Sequence, residues 1–246
     1  MHIIISSYSK NSLALIQWAA EKRLPHVTVC YVDTGWSADG WPEFVSRAET
    51  YVQEKGFKHC HLVPRVGFAE LMEIKRGFPS QRHQWCSLHL KGITMLQWLD
   101  DQDPECRATL LMGNRNPEAL SERPIPEFVE SSEYLGGRRL WYPLFNLDDA
   151  GRDALLAHTG LAPPPGRSSG GCTPCINASS AELSRLTEPE IQRTEELEEE
   201  LGTTMFGSFY GEPSDIRAVV RQAKENPDDE TRPFRFGCSA EFGCGG

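Results

Sequence analysis

The sequence has no stretch approaching the ~20 apolar residues that a membrane-spanning helix needs. Its first apolar run, Ile3-Ile4-Ile5, breaks at Ser6. The N-terminal residues also lack the basic region and small-residue cleavage site of a secretory signal. A cytoplasmic protein with no membrane role is therefore expected. Positive charge is in short supply: 25 Lys and Arg face 35 Asp and Glu, for a formal net charge of −10. This excludes nucleic-acid binding driven by the phosphate backbone alone, which needs a basic footprint. Any such contact would be local, at clusters such as Lys75-Arg76 and Arg138-Arg139, or delegated to a partner in a complex. Internal repeats are absent. The loop after the first apolar run has neither Walker A spacing nor the glycines of a dinucleotide fingerprint.

Cysteine, by contrast, is plentiful, at eight in 246 residues: Cys30, Cys60, Cys86, Cys106, Cys172, Cys175, Cys238 and Cys244. In a reducing compartment, and in a chain long enough to bury a sizeable core, such a count points to metal or thiol chemistry rather than disulfides. Cys30 and Cys60 fall in strand patterns and read as buried apolar residues, and Cys106 as an incidental loop thiol.

The first part of the chain alternates strand-like and helix-like segments. Ile3–Ile5, His26–Val32, Cys60–Val63, Ala108–Met112 and Arg139–Phe145 read as strands. Ser12–Lys22, Trp41–Lys55, Phe68–Met72 and Leu88–Leu99 read as helices. This predicts an α/β fold with a mainly parallel sheet and flanking helices. Ser6–Ser12, Asp33–Ser37 and Gly113–Arg123 follow strands and should converge on one site. At Ala162 the texture changes to a Pro/Gly/Ser loop, then Cys172-Thr173-Pro174-Cys175. The expected division is a nucleotide-binding α/β domain over 1–161 and a cysteine-bearing helical extension over 162–246. The acidic run Glu195–Glu200 reads as a solvated helix face, and the polar tail from Asn226 is too poor in apolar residues to fold alone.

Between the first strand and helix, Ser7, Ser9, Lys10, Asn11 and Ser12 offer hydroxyls and a cation at a helix N-terminus, a setting suited to anions. A plain serine-rich helix cap is the competing reading. The loop resembles the PP-loop of the adenine nucleotide α-hydrolase superfamily, Ser-Gly-Gly-x-Asp-Ser. Tyr8 and Ser9 stand for its two glycines and Asn11 for its aspartate. Sulfonucleotide reductases of the PAPS reductase-like branch carry similarly relaxed loops. Their Asp-Thr-Gly resembles Asp33-Thr34-Gly35. Their Gly-x-Arg segment with later Glu, Ser and Arg resembles Gly113-Asn114-Arg115 with Glu118, Ser121 and Arg123. Trp141–Asn146 and Gly160–Pro163 are similar to their Pro-Leu and Gly-Leu-Pro segments. The resemblance implies that Ser7, Ser9, Lys10, Asn11, Ser12 and Asp33 hold nucleotide, with Mg²⁺ as an accompanying ion. It also implies that Arg115 is a second, bidentate anion clamp.

Cys172 and Cys175 form a C-x-x-C able to grip one metal centre, which on spacing alone fits a zinc half-site or a redox dithiol equally. Cys86 precedes a helix, with Lys91 one turn on. This arrangement resembles adenylyl-sulfate reductases, and the resemblance implies a [4Fe-4S] cluster on Cys86, Cys172 and Cys175. Those reductases have two adjacent cysteines where this chain has Trp85-Cys86, so the tail must supply the fourth ligand, Cys238 or Cys244, with Cys238 favoured. Zinc would accept the same four ligands. The stretch Ser169–Ala178 resembles the ATP-pyrophosphatase component of DNA phosphorothioation systems. Cys244 would then be a mobile thiolate able to attack sulfur, with Lys91 and Arg115 supporting the chemistry.

Three functions follow from these resemblances. The leading one is an ATP-pyrophosphatase-type sulfurtransferase that thiolates nucleic acid, with a cysteine desulfurase as donor. The second is an adenylyl-sulfate or phosphoadenylyl-sulfate reductase making sulfite with thioredoxin, although its Glu-Cys-Gly-Leu-His tail is absent. The third is a non-catalytic nucleotide-sensing subunit. An oligomeric assembly is compatible with each.

Overall fold

The computed structural model describes residues 1–80, 83–115, 126–164, 170–206 and 214–227. Its centre is a six-stranded sheet of β1 (His2–Ser6), β2 (Val27–Val32), β3 (Lys58–Leu62), β4 (Thr109–Leu111), β5 (Phe128–Ser132) and β6 (Arg138–Trp141). The strand order is β3-β2-β1-β4-β6-β5. All pairings are parallel except β5 with β6. The α/β architecture with a mainly parallel sheet is therefore as the sequence predicts. The edge strand β5 has no counterpart in that reading. Its FVESS sequence is short and mostly exposed, so it carries little of the apolar signal that marks buried strands.

Ile3, Ile4 and Ile5 are buried on both faces of the sheet, which is why a continuous β-branched run rather than an alternating one encodes the central strand. On one face α1 (Lys10–Glu21) and α2 (Trp41–Glu54) pack Leu13, Ile16, Phe44 and Val52 over Ile4 and Val29. On the other, α5 (Ile93–Gln102) packs Met95 and Leu99 over Ile3, Ile5 and Leu110. Each such side chain stabilises the core by roughly 1.5–3 kcal/mol. The helix expected over Leu88–Leu99 is longer. It runs from α4 (Trp85–Ser87) through a π-helical turn at Leu88–Gly92 into α5.

A third apolar cluster joins α3 (Phe68–Lys75) and Cys86 and Leu90 to the C-terminal helices. These are α7 (Ser180–Leu183), α8 (Glu188–Leu201) and α9 (Ile216–Glu225), with α6 (Asp149–Ala157) lying against α1 instead. The acidic segment thus splits into two helices, capped by Ser179 and Thr187 through reciprocal bonds with Glu182 and Glu190. It is also not wholly a solvated face. Glu198 is buried and accepts from the Met205 and Ile216 backbone N–H groups at 2.8 and 2.9 Å. Among the described residues no helix is long and apolar enough to cross a membrane.

The sheet edge around β6 is held by Arg138, whose side chain is 0% exposed. It donates to Asp103 Oδ2 at 3.0 Å, to the Asp103 carbonyl at 2.7 Å and to the Leu99 carbonyl at 3.0 Å. Burial pushes the Asp103 carboxyl up, but N–H groups of Ala108 and Arg107 and the Arg138 guanidinium outweigh it and hold it below its ordinary value. Replacing Arg138 with Met should cost about 3–5 kcal/mol, because the buried Asp103 carboxylate keeps its two backbone N–H donors but loses its counter-charge; the urea midpoint reads this. Because the folded value is depressed, the Asp103 contribution is present above about pH 4 and is lost as pH falls through the folded value. Acid titration of the same unfolding curve should show that loss in the wild type and a smaller one in Arg138→Met, where only the Ala108 and Arg107 N–H groups still favour the carboxylate.

Candidate functional site

In an open parallel sheet, ligands bind beyond the carboxyl ends of the strands, where the connection order reverses. Here that point lies between β1 and β4, which pair through His2↔Thr109, Ile3↔Leu110 and Ile4↔Leu111. Two segments meet above it, the turn after β1 and Gly113–Arg115 after β4. A Cβ on Gly113 would stand 3.0 Å from the Asn11 carbonyl carbon and oxygen. A side chain there would crowd the Asn11 backbone, so glycine suits the point where the two loops touch.

In the turn, Ser6 Oγ accepts from the Tyr8 N–H at 3.0 Å. Tyr8 has φ of 50°, the left-handed region that favours glycine. Its ring is completely buried, 5.3 Å from that of Tyr31, and this packing offsets the backbone cost. Ser9 caps α1 by accepting from the Ser12 N–H, and its hydroxyl bonds that of Ser12 at 3.0 Å. Ser7, Ser9, Asn11 and Ser12 are all buried, whereas Lys10 is exposed. The start of α1 is thus capped by Ser9, and the Ser9 and Ser12 hydroxyls, expected to touch phosphate, bond each other within the turn.

Arg115 is 3% exposed. It donates to the Leu147 carbonyl at 3.2 Å and to Asp149 Oδ1 at 2.7 Å. Arg152 reaches the same Asp149 oxygen at 3.0 Å. The Arg115 hydrogen bond, with the charges of Arg152 and Arg115, holds the Asp149 carboxyl below its ordinary range, and Lys10 adds to the effect from nearby. The structure therefore joins Arg115 and Arg152 at Asp149, with Lys10 at the start of α1.

Asp33 closes the turn after β2, accepting from the Gly35 N–H at 2.9 Å. Its other oxygen lies 3.8 Å from His61 Nε2, and His61 Nδ1 lies 2.8 Å from Glu49. With Tyr31 and Trp41 these residues line a cavity of about 120 Å³. His61 and Glu49 were not singled out from the sequence; the alternation His59-Cys60-His61 in β3 was the available signal. Burial and Asp33 push the Tyr31 hydroxyl up, while the Trp41 indole N–H and the Lys91 ammonium act the other way, and Cys172 also acts on it.

The cysteine loop is tied to the segment after β2. Thr34 Oγ1 donates to the Gly171 carbonyl at 2.8 Å, the Ala38 N–H to Gly170 at 2.7 Å, and the Thr173 N–H to Trp36 at 2.6 Å. Arg193 lies over the Trp36 ring, 4.5 Å from its centroid, and donates to the carbonyls of Ser37 and Thr173. Arg193 is the one basic residue of α8, the only sequence sign of its role. Cys86 lies in the third cluster, with Cys172 and Cys175 packed against it. The Asn177 N–H points at Cys175 Sγ at 3.5 Å, and Gln84 donates to Asn177 at 3.4 Å. Three thiols on one apolar cluster suit soft, thiolate-bound metal chemistry. Yet among the described residues no three His, Cys, Asp or Glu side chains group so as to hold a metal ion. Cys238 and Cys244 lie outside the described residues, as do Glu118, Ser121 and Arg123. Cys30 is buried opposite Cys60 in register, and the two thiols share a hydrogen bond that favours the Cys60 thiolate.

Together the sheet and its crevice define an α/β protein with the fold of PAPS reductase. Among solved structures, the chain is similar to the phosphoadenylyl-sulfate (PAPS) reductase of Candida auris in its phosphate complex. The TM-score is 0.50 and the identity 13%, over 65% of this chain and 73% of that one. It is also similar to the NMN synthetase of Francisella tularensis, with a TM-score of 0.48 and 12% identity over 96% and 87% of the two chains. In sequence it is 26% identical over 239 residues to an uncharacterized 37.8 kDa protein of Escherichia phage 186, covering 76% of this chain and 70% of that protein. No protein-family model matches.

The tie between the cysteine loop and the sheet can be broken at one atom. A Cβ on Gly170 would stand 2.2 Å from the ring of Trp41, itself 1% exposed. Gly170→Ala should cost about 1–3 kcal/mol. It should also make Cys172 and Cys175 react faster with a disulfide reagent, as followed by the release of coloured thiolate.

Proposed function

We propose that the chain is a nucleotide-dependent sulfur-transfer enzyme of the PP-loop type. One observation carries this reading: the C-x-x-C loop is stitched to the Thr34–Ala38 segment, so that Cys172 stands near the strand ends where a nucleotide would bind. The similarity of fold to PAPS reductase supports the nucleotide half of the reading. The α1 N-terminus, Lys10 and Arg115 receive the phosphates, and Asp33 faces the remainder of the nucleotide beside the Tyr31–Trp41 cavity. A general anion site of this kind works through backbone N–H groups and the helix dipole rather than through a glycine-rich cradle.

The sulfur half rests on the cysteines. Cys86, Cys172 and Cys175, completed by Cys238, would hold a [4Fe-4S] cluster, which when bound supplies a redox-active, sulfur-rich centre. Cys244 carries the sulfur received from a cysteine desulfurase, and Lys91 offsets negative charge near Tyr31. Cleavage of ATP between its α and β phosphates places AMP on an acceptor oxygen and releases pyrophosphate; the outer persulfide sulfur on Cys244 then expels AMP, and a second thiol cleaves the S–S bond, leaving the sulfur on the acceptor and Cys244 in a disulfide. The acceptor is nucleic acid reached within a complex, since the chain is acidic, as in DNA phosphorothioation. A second reading, a sulfonucleotide reductase, is favoured by Tyr8 standing where the PP-loop has glycine, because such relaxed loops suit a sulfonucleotide held for reduction.

Protein purified without oxygen should be brown and contain about four irons per chain, and Cys172→Ser should bleach it. An unchanged spectrum in that variant removes the cluster. Pyrophosphate released from ATP supports sulfur transfer by activation; sulfite from adenylyl sulfate with thioredoxin supports the reductase instead. Retained nucleotide binding with neither product would mark a non-catalytic subunit and overturn both.

A further inference from the structure

The pairing of β2 with β3 sets two cysteines side by side. Cys30 and Cys60 are partners in register. Both side chains join the apolar cluster that α5 covers, Cys30 fully buried and Cys60 half-buried. Adjacent strands lie about 4.7–4.9 Å apart, inside the range of about 4.4–6.8 Å between Cα atoms that a disulfide bridges. Both cysteines are free thiols, and they stand close enough to share a hydrogen bond. Burial above all keeps Cys30 protonated, so its S–H donates and the Cys60 sulfur accepts. That bond is the main cause holding the Cys60 thiol below its ordinary value. His61 adds to it, while partial burial and Glu49 act the other way. β3 is an edge strand of the sheet, and Cys60 keeps part of its surface in solvent. Neither thiol belongs to the C-x-x-C loop or to the crevice above β1.

We propose that Cys60 is a hydroperoxide-reactive cysteine and Cys30 its resolving partner, so that the two form a reversible disulfide across β2 and β3. The Cys60 thiolate attacks one peroxide oxygen and the O–O bond breaks. The other oxygen takes a proton and leaves as water or an alcohol, and Cys60 becomes a sulfenic acid. The Cys30 thiol then attacks the Cys60 sulfur, the S–O bond breaks, and the hydroxide leaves as water with the Cys30 proton. Two electrons pass from the sulfurs to the peroxide, and a dithiol reductant returns them when it opens the bridge. A half-exposed thiol without a neighbour would be oxidised further, to sulfinic acid; a partner in register prevents this. The bridge also has something to act on. Tyr31 and His61, the next pair in register, have rings 5.2 Å apart and line the Asp33 cavity on the opposite face of the sheet. Successive side chains alternate across a strand, so a covalent tie on one face changes the spacing of that wall on the other. This inference goes beyond the nucleotide and sulfur-transfer reading and stands without it.

The test exposes the whole chain, purified without oxygen, to graded hydrogen peroxide, blocks the remaining thiols with iodoacetamide and maps tryptic peptides by mass spectrometry. Cleavage after Lys and Arg places Cys30 in peptide 24–47 and Cys60 in peptide 59–65, neither with a second cysteine. The two should appear joined, lighter than their sum by two hydrogens, and dithiothreitol should separate them again. In Cys30→Ala no bridge can form, and Cys60 should give a sulfenic acid trapped by dimedone. It should form about threefold more slowly than in wild type, because the thiolate has lost its donor. Cys60→Ala, at the half-buried position, keeps the test open if Cys30→Ala does not fold: Cys30 should then stay reduced at the same dose. No joined peptide at a dose that oxidises Cys172 and Cys175 overturns the proposal. So does Cys60 reaching sulfinic acid in wild type while Cys30 remains reduced, or Cys30 oxidised to the same extent in Cys60→Ala.

Discussion

The structure depends on one pairing constraint, the position of β1 between β2 and β4. Because β1 pairs in parallel with both, the chain must move outward in one direction through β2 and β3 and return to the other side for β4. That reversal opens a crevice at the carboxyl end of β1, and nothing else in the sheet could do so. The apolar run Ile3–Ile5 makes it possible, since only a strand buried on both faces can accept helices from both sides. The close approach of Gly113 to Asn11 then brings the β4 exit against the start of α1.

From that crevice two systems of contacts extend. One is electrostatic, with Arg115 and Arg152 at a single carboxylate oxygen of Asp149. The other is made of backbone hydrogen bonds and aromatic packing, joining Thr34–Ala38 to Gly170–Thr173 through Trp36, Trp41 and Arg193. The second also ties in the C-terminal helices, because Glu190 accepts from the Asp39 N–H at 3.0 Å and Thr187 bonds Asp39. The cysteine loop is therefore part of the same structure as the β2 turn. A change of position in either one is felt by the other.

The residues show unequal legibility. The helix over Ser12–Lys22 was readable from its apolar spacing, but it begins two residues earlier, at Lys10, because the Ser9 hydroxyl caps it, which the sequence offered only as a competing reading. The convergence of Ser6–Ser12, Asp33–Ser37 and the start of Gly113–Arg123 followed from the rule for parallel sheets. The fate of Arg115 did not. A guanidinium beside an anion site looks the same in sequence whether it awaits a ligand or already holds Asp149, 34 residues away. Glu198 is a similar case: it sits in an acidic run that reads as solvated, yet it caps two backbone N–H groups that only the return of α9 brings near.

By itself, then, the sequence determined what depends on neighbours along the chain: the buried central strand, the capped helices, the parallel α/β class and the placing of small and charged residues at strand ends. Tertiary structure alone decided what depends on partners distant in sequence: Tyr8 holding a left-handed turn by packing on Tyr31, the stitching of the cysteine loop to β2, and the Arg115 guanidinium brought to Asp149. The reason is physical. Periodicity and capping act over one or two helical turns, whereas the pairing of charges and the packing of rings are settled only when the folded backbone sets their separation.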